Sequence, residues 1–406
     1  MSDFEVASIL ITLTAALAYF NARVLRLPSA IGLMVTALAG SVMVLALDGV
    51  APRVEALLNQ VNLPDALLHG MLGILLFAGA LHVNLADLKE FSVPIGVLAL
   101  FGTAVSTAAV GGASYVLLDA VGLPLPLVYC LLFGALISPT DPIAVLGILK
   151  AAKAPRSLEV TITGESMFND GVGVVIFLGI AAVAAGGDVT PASMARLFVQ
   201  EAIGGALFGL AVGYVGFRLL HSIDQYSVEI LITLAMVLGG YVAAEQLHVS
   251  APIAAVTAGL LVGNHGRSFA MSETTREHLD TFWELMDEIL NAVLFLIIGL
   301  EVVHLRLTTE LVIAGLAAIP LVLAARLMSV SAPIALMPRF RKRAPGAMKL
   351  LTWGGLRGGI SVALALSIPP GPERDVILVI TYFVVVFSIV VQGTTLGRVA
   401  RPYAES

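Results

Sequence analysis

Residues 164–171 read Gly-Glu-Ser-Met-Phe-Asn-Asp-Gly and set two carboxylates into an otherwise apolar stretch. Read as a helix, Ser166 and Asp170 are i, i+4 neighbours on one ridge, and Glu165 and Asn169 form the ridge beside it. One helix thus offers a hydroxyl with a carboxylate, flanked by an amide and a second carboxylate. Asp170 has no cation near it in its own segment. A second group is Ser138-Pro139-Thr140-Asp141-Pro142. Two prolines three apart remove two backbone donors and clash with the preceding turn, so a continuous helix is not expected there. Asp141 followed by Pro142 reads as an N-cap and first helical position, which predicts a break and a new half-helix from Pro142. The break leaves the Thr140 carbonyl free to meet a cation. A third group, Gly354-Gly355-Leu356-Arg357-Gly358-Gly359, surrounds one arginine with four glycines, and a fourth is Arg326 in an apolar run.

Each of these residues also has a structural reading. Asp141 could be a helix cap only, and Ser166 could bond its own helix backbone. Asn169 and Asn291 could be interhelical glue. Glu165 with Arg326 could be a self-neutralising ion pair. Arg357 could neutralise the carbonyls at a broken helix. No His-Glu-x-x-His or Gly-x-Ser-x-Gly pattern points to hydrolysis, and the seven histidines form no metal-type pair.

The solvent that surrounds these groups follows from composition. Of 406 residues, 58% are apolar and 12% charged, the latter about half the ~25% of soluble domains. Mean hydropathy is +0.98. With 39 glycines and no excess of charge, the chain reads as a membrane protein. The one cysteine, Cys130, excludes a disulfide framework and a cysteine-based metal site.

Thirteen apolar stretches are candidates for crossing ~30 Å of hydrocarbon, at about 7–24, 30–47, 66–84, 95–117, 126–149, 159–183, 196–219, 228–246, 251–264, 282–303, 311–335, 348–368 and 375–397. The ninth is the shortest. The first begins with Asp3 and Glu5 and lacks a cleavage-site grammar, so it reads as a retained helix. If Arg23 and Arg26 are cytoplasmic, sixteen Lys and Arg fall on that side, and Arg53, Arg196, Arg306 and Arg374 on the other. That bias predicts an odd number of crossings, N-terminus outside and C-terminus cytoplasmic.

A charge at mid-bilayer costs at least ~2.5–3.5 kcal/mol, so such groups should face a cavity or a partner. Asp170 lies ~16 Å from the start of its span, near the midplane. Two interrupted spans, the fifth and the twelfth, run in opposite directions, which matches transporters built from inverted repeats with a midplane site.

In this order, the motifs 138–142, 164–171, Ala325-Arg326 and 355–358 resemble the monovalent cation/proton antiporter family, specifically its NhaP-like sodium/proton antiporters. The resemblance covers nearly the whole chain. It implies an all-α polytopic fold of about thirteen transmembrane helices, with two broken, crossing helices. The 1–406 chain would be one transporter unit, with core helices near 66–183 and 282–397 and dimerisation helices near 1–64 and 196–281. It further implies a homodimer in the plasma (inner) membrane. Asp170 would alternate between cation and proton, with Thr140 and Ser166 as further Na⁺ ligands. Asp141 and Asn169 would hold the crossing with Arg357 in support, and Glu165 would pair with Arg326. Where many relatives carry a carboxylate in the third span, this chain has Ala78. No cofactor, nucleic acid or obligatory protein partner is expected beyond membrane lipid and the transported Na⁺ (or Li⁺) and H⁺.

The chemistry expected is competition for one carboxylate. A hard cation seeks several oxygen ligands. Burial makes a carboxylate hold its proton, and a bound cation expels it. Asn169 in place of a second acid leaves one titrating group, which predicts 1:1, electroneutral exchange. A K⁺/H⁺ antiporter of the same architecture is the alternative. An ion channel or an intramembrane hydrolase is more remote, because no carbonyl-ring filter segment repeats.

Overall fold

The computed structural model describes residues 3–46, 70–186, 196, 199–301, 307–338, 340, 344 and 346–403. Residue 47 of the second expected span, residues 66–69 of the third and 47–64 of the expected dimerisation segment lie outside the described residues. So do Arg53, Arg306, Arg339, Arg341, Lys342 and Arg343.

The described residues are helical, and the helices follow one another as thirteen rods. Seven of these are long and apolar enough to cross a membrane by length and composition, from Glu5–Leu25 to Pro372–Tyr403. The second, third and ninth are shorter apolar helices, Ser29–Ala46, Leu72–Leu81 and Ala251–Leu261. The fifth and twelfth are each two helices with a gap, Leu127–Ile137 with Ile143–Ala151 and Ala347–Trp353 with Gly359–Ser367. The tenth, Glu273–Glu301, begins nine residues before the expected 282, because an amphipathic, acid-rich turn sequence extends the apolar helix at its start.

Both breaks occur where backbone chemistry predicts. In the fifth rod helical structure stops at Ile137 and resumes at Ile143, with Pro142 in the cap position. The restart is one residue later than the sequence reading, and Asp141 gives its backbone N–H across the molecule to the Leu356 carbonyl, 2.8 Å away. In the twelfth rod, Gly358 is extended at φ −120°, ψ −156°. A β-carbon there would collide with the Asp141 carboxylate, so glycine permits the two breaks to touch.

Four packed regions hold the rods among the described residues, two of them the largest. One is built around Phe133, Phe295 and Tyr382 of the fifth, tenth and thirteenth rods, all buried. The other is built around Phe77 and Trp283, whose rings lie 4.8 Å apart, and joins the third, eighth (Tyr226–Gln246), ninth and tenth rods. Trp283 spends its indole N–H on the Thr233 hydroxyl at 3.1 Å, so the ring enters the core with its polar atom satisfied. On the seventh rod, Val199–Leu220, Gly205, Gly209 and Gly213 lie four apart, and Gly209 admits the ninth rod's Ala254 and Thr257 at backbone distance. Small residues at this spacing are how membrane helices gain close van der Waals contact without a hydrophobic driving force. The outer faces keep Leu207, Leu231, Leu238 and Leu316 exposed, as a lipid-facing surface requires.

Candidate functional site

The sixth rod, Arg156–Ala184, is a single unbroken helix whose middle is buried on all sides. Glu165, Ser166, Asn169 and Asp170 are between 1% and 4% exposed. This is the helix that the broken fifth rod lies against. Asn169 clamps the break: its carbonyl oxygen accepts the Thr140 backbone N–H at 3.2 Å, and its amide donates to the Thr140 hydroxyl at 3.0 Å. The same hydroxyl meets that of Ser166 at 2.8 Å. Thr140, Ser166 and Asn169 therefore form one polar chain, held in place by a backbone that could not stay helical.

Arg357 is 2% exposed and closes the crossing from the other side. Its Nη1 donates to the carbonyls of Ser138 and Pro139 at 2.5 and 2.8 Å, and its backbone N–H donates to the Ser388 hydroxyl at 2.9 Å. Carbonyls freed by the two prolines are thus met by a guanidinium. Glu165 and Arg326 form a bidentate pair at 2.5 and 3.0 Å, and Arg326 Nε adds a bond to the Leu351 carbonyl at 3.1 Å. The pair ties the sixth rod and the eleventh, Thr309–Leu336, to the first half of the twelfth. Gly355 leaves the room that the guanidinium occupies, since a β-carbon there would stand 2.6 Å from Arg326 Nε.

Asp170 stands apart from these bonded groups. It lines a cleft of about 890 Å³, together with Thr140 and Asp141. The charge acting on it is another carboxylate, Asp141. Ala78, 1% exposed, sits on the cleft wall, so the third rod brings no acid to it. The cleft extends to Lys150, Arg156 and Glu159 at the end of the molecule that carries Arg26 and Lys153 on its connecting turns. At that mouth Arg156 bonds Asp87 at 2.5 Å, and Arg267 pairs with Asp280.

The eight expected site residues lie within this crossing region in separate bonded groups: Thr140, Ser166 and Asn169 share one chain, Glu165 pairs with Arg326, and Arg357 bonds the Ser138 and Pro139 carbonyls. Sequence reasoning passed over Asp287 on the tenth rod, which also lines the cleft. The available signal was its spacing of four from Asn291, which puts both on one helix face. Such an arrangement can bind a hard cation or a proton at Asp170, with hydroxyl oxygens beside it.

Comparison with known proteins agrees with that chemistry. The transmembrane sodium/hydrogen exchanger family matches residues 9–401. The chain is 49% identical to the Na⁺/H⁺ antiporter NhaP of Pseudomonas aeruginosa, over 98% of this chain and 96% of the relative. It is 39% identical to the Na⁺/H⁺ antiporter NhaH of Halobacillus dabanensis, over 74% of this chain and 73% of that one. Its fold is similar to that of the sodium proton antiporter MjNhaP1 from Methanocaldococcus jannaschii, with a TM-score of 0.76 at 17% identity over 98% of both chains. With its broken rods crossing beside a buried acidic helix, the chain belongs to the sodium/hydrogen exchanger family.

Proposed function

We propose that this chain exchanges Na⁺ (or Li⁺) for H⁺ across a membrane, with Asp170 binding one or the other in each half-cycle. The observation that carries the reading is the buried Asp170 carboxylate lining a cleft, with no ion pair to it among the described residues, on the same helix as Ser166 of the Thr140–Ser166 hydroxyl pair. A monovalent hard cation would take oxygen ligands from Asp170, Ser166 and Thr140. Because the proton and the cation neutralise the same group, neither binds well while the other is present. Asn169 is engaged by Thr140 and carries no charge, so one carboxylate titrates per cycle, which makes the exchange electroneutral at 1:1.

The same reading assigns Asp141, Asn169 and Arg357 to holding the crossing and Glu165 with Arg326 to a structural pair. The core helices would lie near 66–183 and 282–397, with dimerisation helices near 1–64 and 196–281 in a homodimer. The protein would sit in the plasma membrane with its C-terminus cytoplasmic, and would need no cofactor and catalyse no covalent reaction. Support for the orientation is the cation bias of the connecting turns. The test is dissipation of a pH gradient in proteoliposomes by Na⁺, Li⁺ and K⁺ in turn. Na⁺ and Li⁺ should collapse the gradient at a rate insensitive to membrane potential. Collapse by K⁺ alone would replace this reading with K⁺/H⁺ exchange.

A further inference from the structure

Asn291 is buried at 4% exposure on the tenth rod, and its two polar atoms are treated differently. The amide nitrogen donates to the Asp287 backbone carbonyl one turn earlier, at 2.8 Å. The amide oxygen Oδ1 is shielded from solvent and has no hydrogen-bond partner. An unpaired buried acceptor is costly, because it has given up its bond to water without gaining another. That cost is avoided when something else supplies the missing positive end.

The surroundings favour a cation in that role. Asn291 lines the same cleft as Asp170. Asp287, four residues away on the same helix face, lines it as well. The charges acting on Asp287 are the carboxylates Asp141, Glu284 and Glu288. Asp287 and Asn291 also line a second cavity of about 630 Å³, between the second, fifth, tenth and thirteenth rods, whose far wall carries Arg398 and Arg401. The pair therefore forms a wall with space on both sides, and a water-carrying ion could reach it.

We propose that Asp287 and Asn291 form a second cation site, in which a monovalent hard cation is held by the Asp287 carboxylate and Asn291 Oδ1, with water completing its shell. The site lies toward the mouth from Asp170 and loads the cation before it is passed inward. This inference rests on the exchange reading above for its cargo, and it places on the tenth rod a carboxylate that the third rod, with Ala78, does not supply.

A site separate from Asp170 should survive the loss of Asp170. Binding of radioactive Na⁺ to the detergent-purified full chain is measured for the wild type, Asp170→Asn, and the double variant Asp170→Asn with Asp287→Asn. Asp170→Asn should retain saturable Na⁺ binding, and the double variant should lose it at least tenfold in affinity. Asn291→Leu in the Asp170→Asn background should lose it similarly, and Asn291→Asp should restore it. Elution profile and thermal midpoint identify any variant that fails to fold, and the restoring variant keeps the test decisive in that case. In proteoliposomes, Asp287→Asn alone should raise the half-saturating Na⁺ concentration at least fivefold. Absence of residual binding in Asp170→Asn, or residual binding indifferent to Asp287→Asn, would overturn the second site. A wild type that moves no protons in response to Na⁺ would instead overturn the exchange reading, so the two failures are distinguishable.

Discussion

Asn169 and Asp170 are adjacent in sequence and both buried, yet they do different work because their neighbours differ. Asn169 spends its amide on both the backbone and the hydroxyl of Thr140, whereas Asp170 faces the cleft. Asn169→Asp would replace the donating amide by an acceptor. The Thr140 hydroxyl would lose a donor, and two acids would share one low-dielectric region, where one of them stays protonated. We expect the variant to exchange more slowly while remaining electroneutral. The check is its rate with and without an imposed membrane potential, and a potential-dependent rate would show that the second acid carries charge across. Residue type at these positions was legible in the sequence, because charge in an apolar span is rare and demands a reason. Which carbonyls Arg357 would meet was not: Ser138 and Pro139 present theirs to it from a segment more than two hundred residues away, a contact that only the fold makes.

Helix geometry sets which of these contacts can form. The sixth rod must stay straight to bring Glu165 to the eleventh rod, and the fifth and twelfth must break for Asp141 and Gly358 to meet. Glu165 and Arg326 are 1% and 5% exposed, so losing either leaves a buried charge unpaired, at a cost of about 3–5 kcal/mol. Glu165→Gln and Arg326→Gln should each lower the thermal midpoint in detergent, and the double variant should be less destabilised than the sum. Additive losses in that cycle would show that the pair does not interact. At the crossing, Gly358→Ala would push a methyl group into the Asp141 carboxylate. Overpacking of this kind costs about 1–3 kcal/mol. The expected result is a lower thermal midpoint together with slower Na⁺-driven proton movement. A variant unchanged in both would mean that the breaks need no such close approach. Proline and glycine spacing made both breaks readable. The early start of the tenth rod was less so, because Glu273 to Phe282 is polar on one face and resembles a connecting loop until its helical period is followed. Asp287 escaped notice for the same reason: near the expected start of a span, an acid looks like an end-of-helix residue.

Taken as a whole, the molecule distributes its charge unequally between its two ends. Lys150, Lys153 and Arg156 cluster where the cleft opens, and Arg374 lies at the other end, in the first turn of the thirteenth rod. The bias predicts which end is cytoplasmic. Cys130 is buried and is the chain's single cysteine, so introduced cysteines can be read against a silent background. Lys153→Cys should react with a membrane-impermeant maleimide in inverted vesicles and Arg374→Cys in intact cells. The reverse pattern would invert the topology. Thirteen rods and their alternating direction could be traced in sequence, since each is a separate apolar stretch bounded by polar residues. Which rods wall the cleft could not, because that depends on contacts between segments such as the third and ninth that no local pattern encodes. The central claim is that one carboxylate, Asp170, carries both the proton and the cation. Its most direct test is the Na⁺-driven pH change in proteoliposomes of Asp170→Asn beside the wild type, with both shown to be folded. The account predicts that the wild type exchanges and that the variant, isosteric but unable to release a proton, does not. Exchange by Asp170→Asn at the wild-type rate would contradict it.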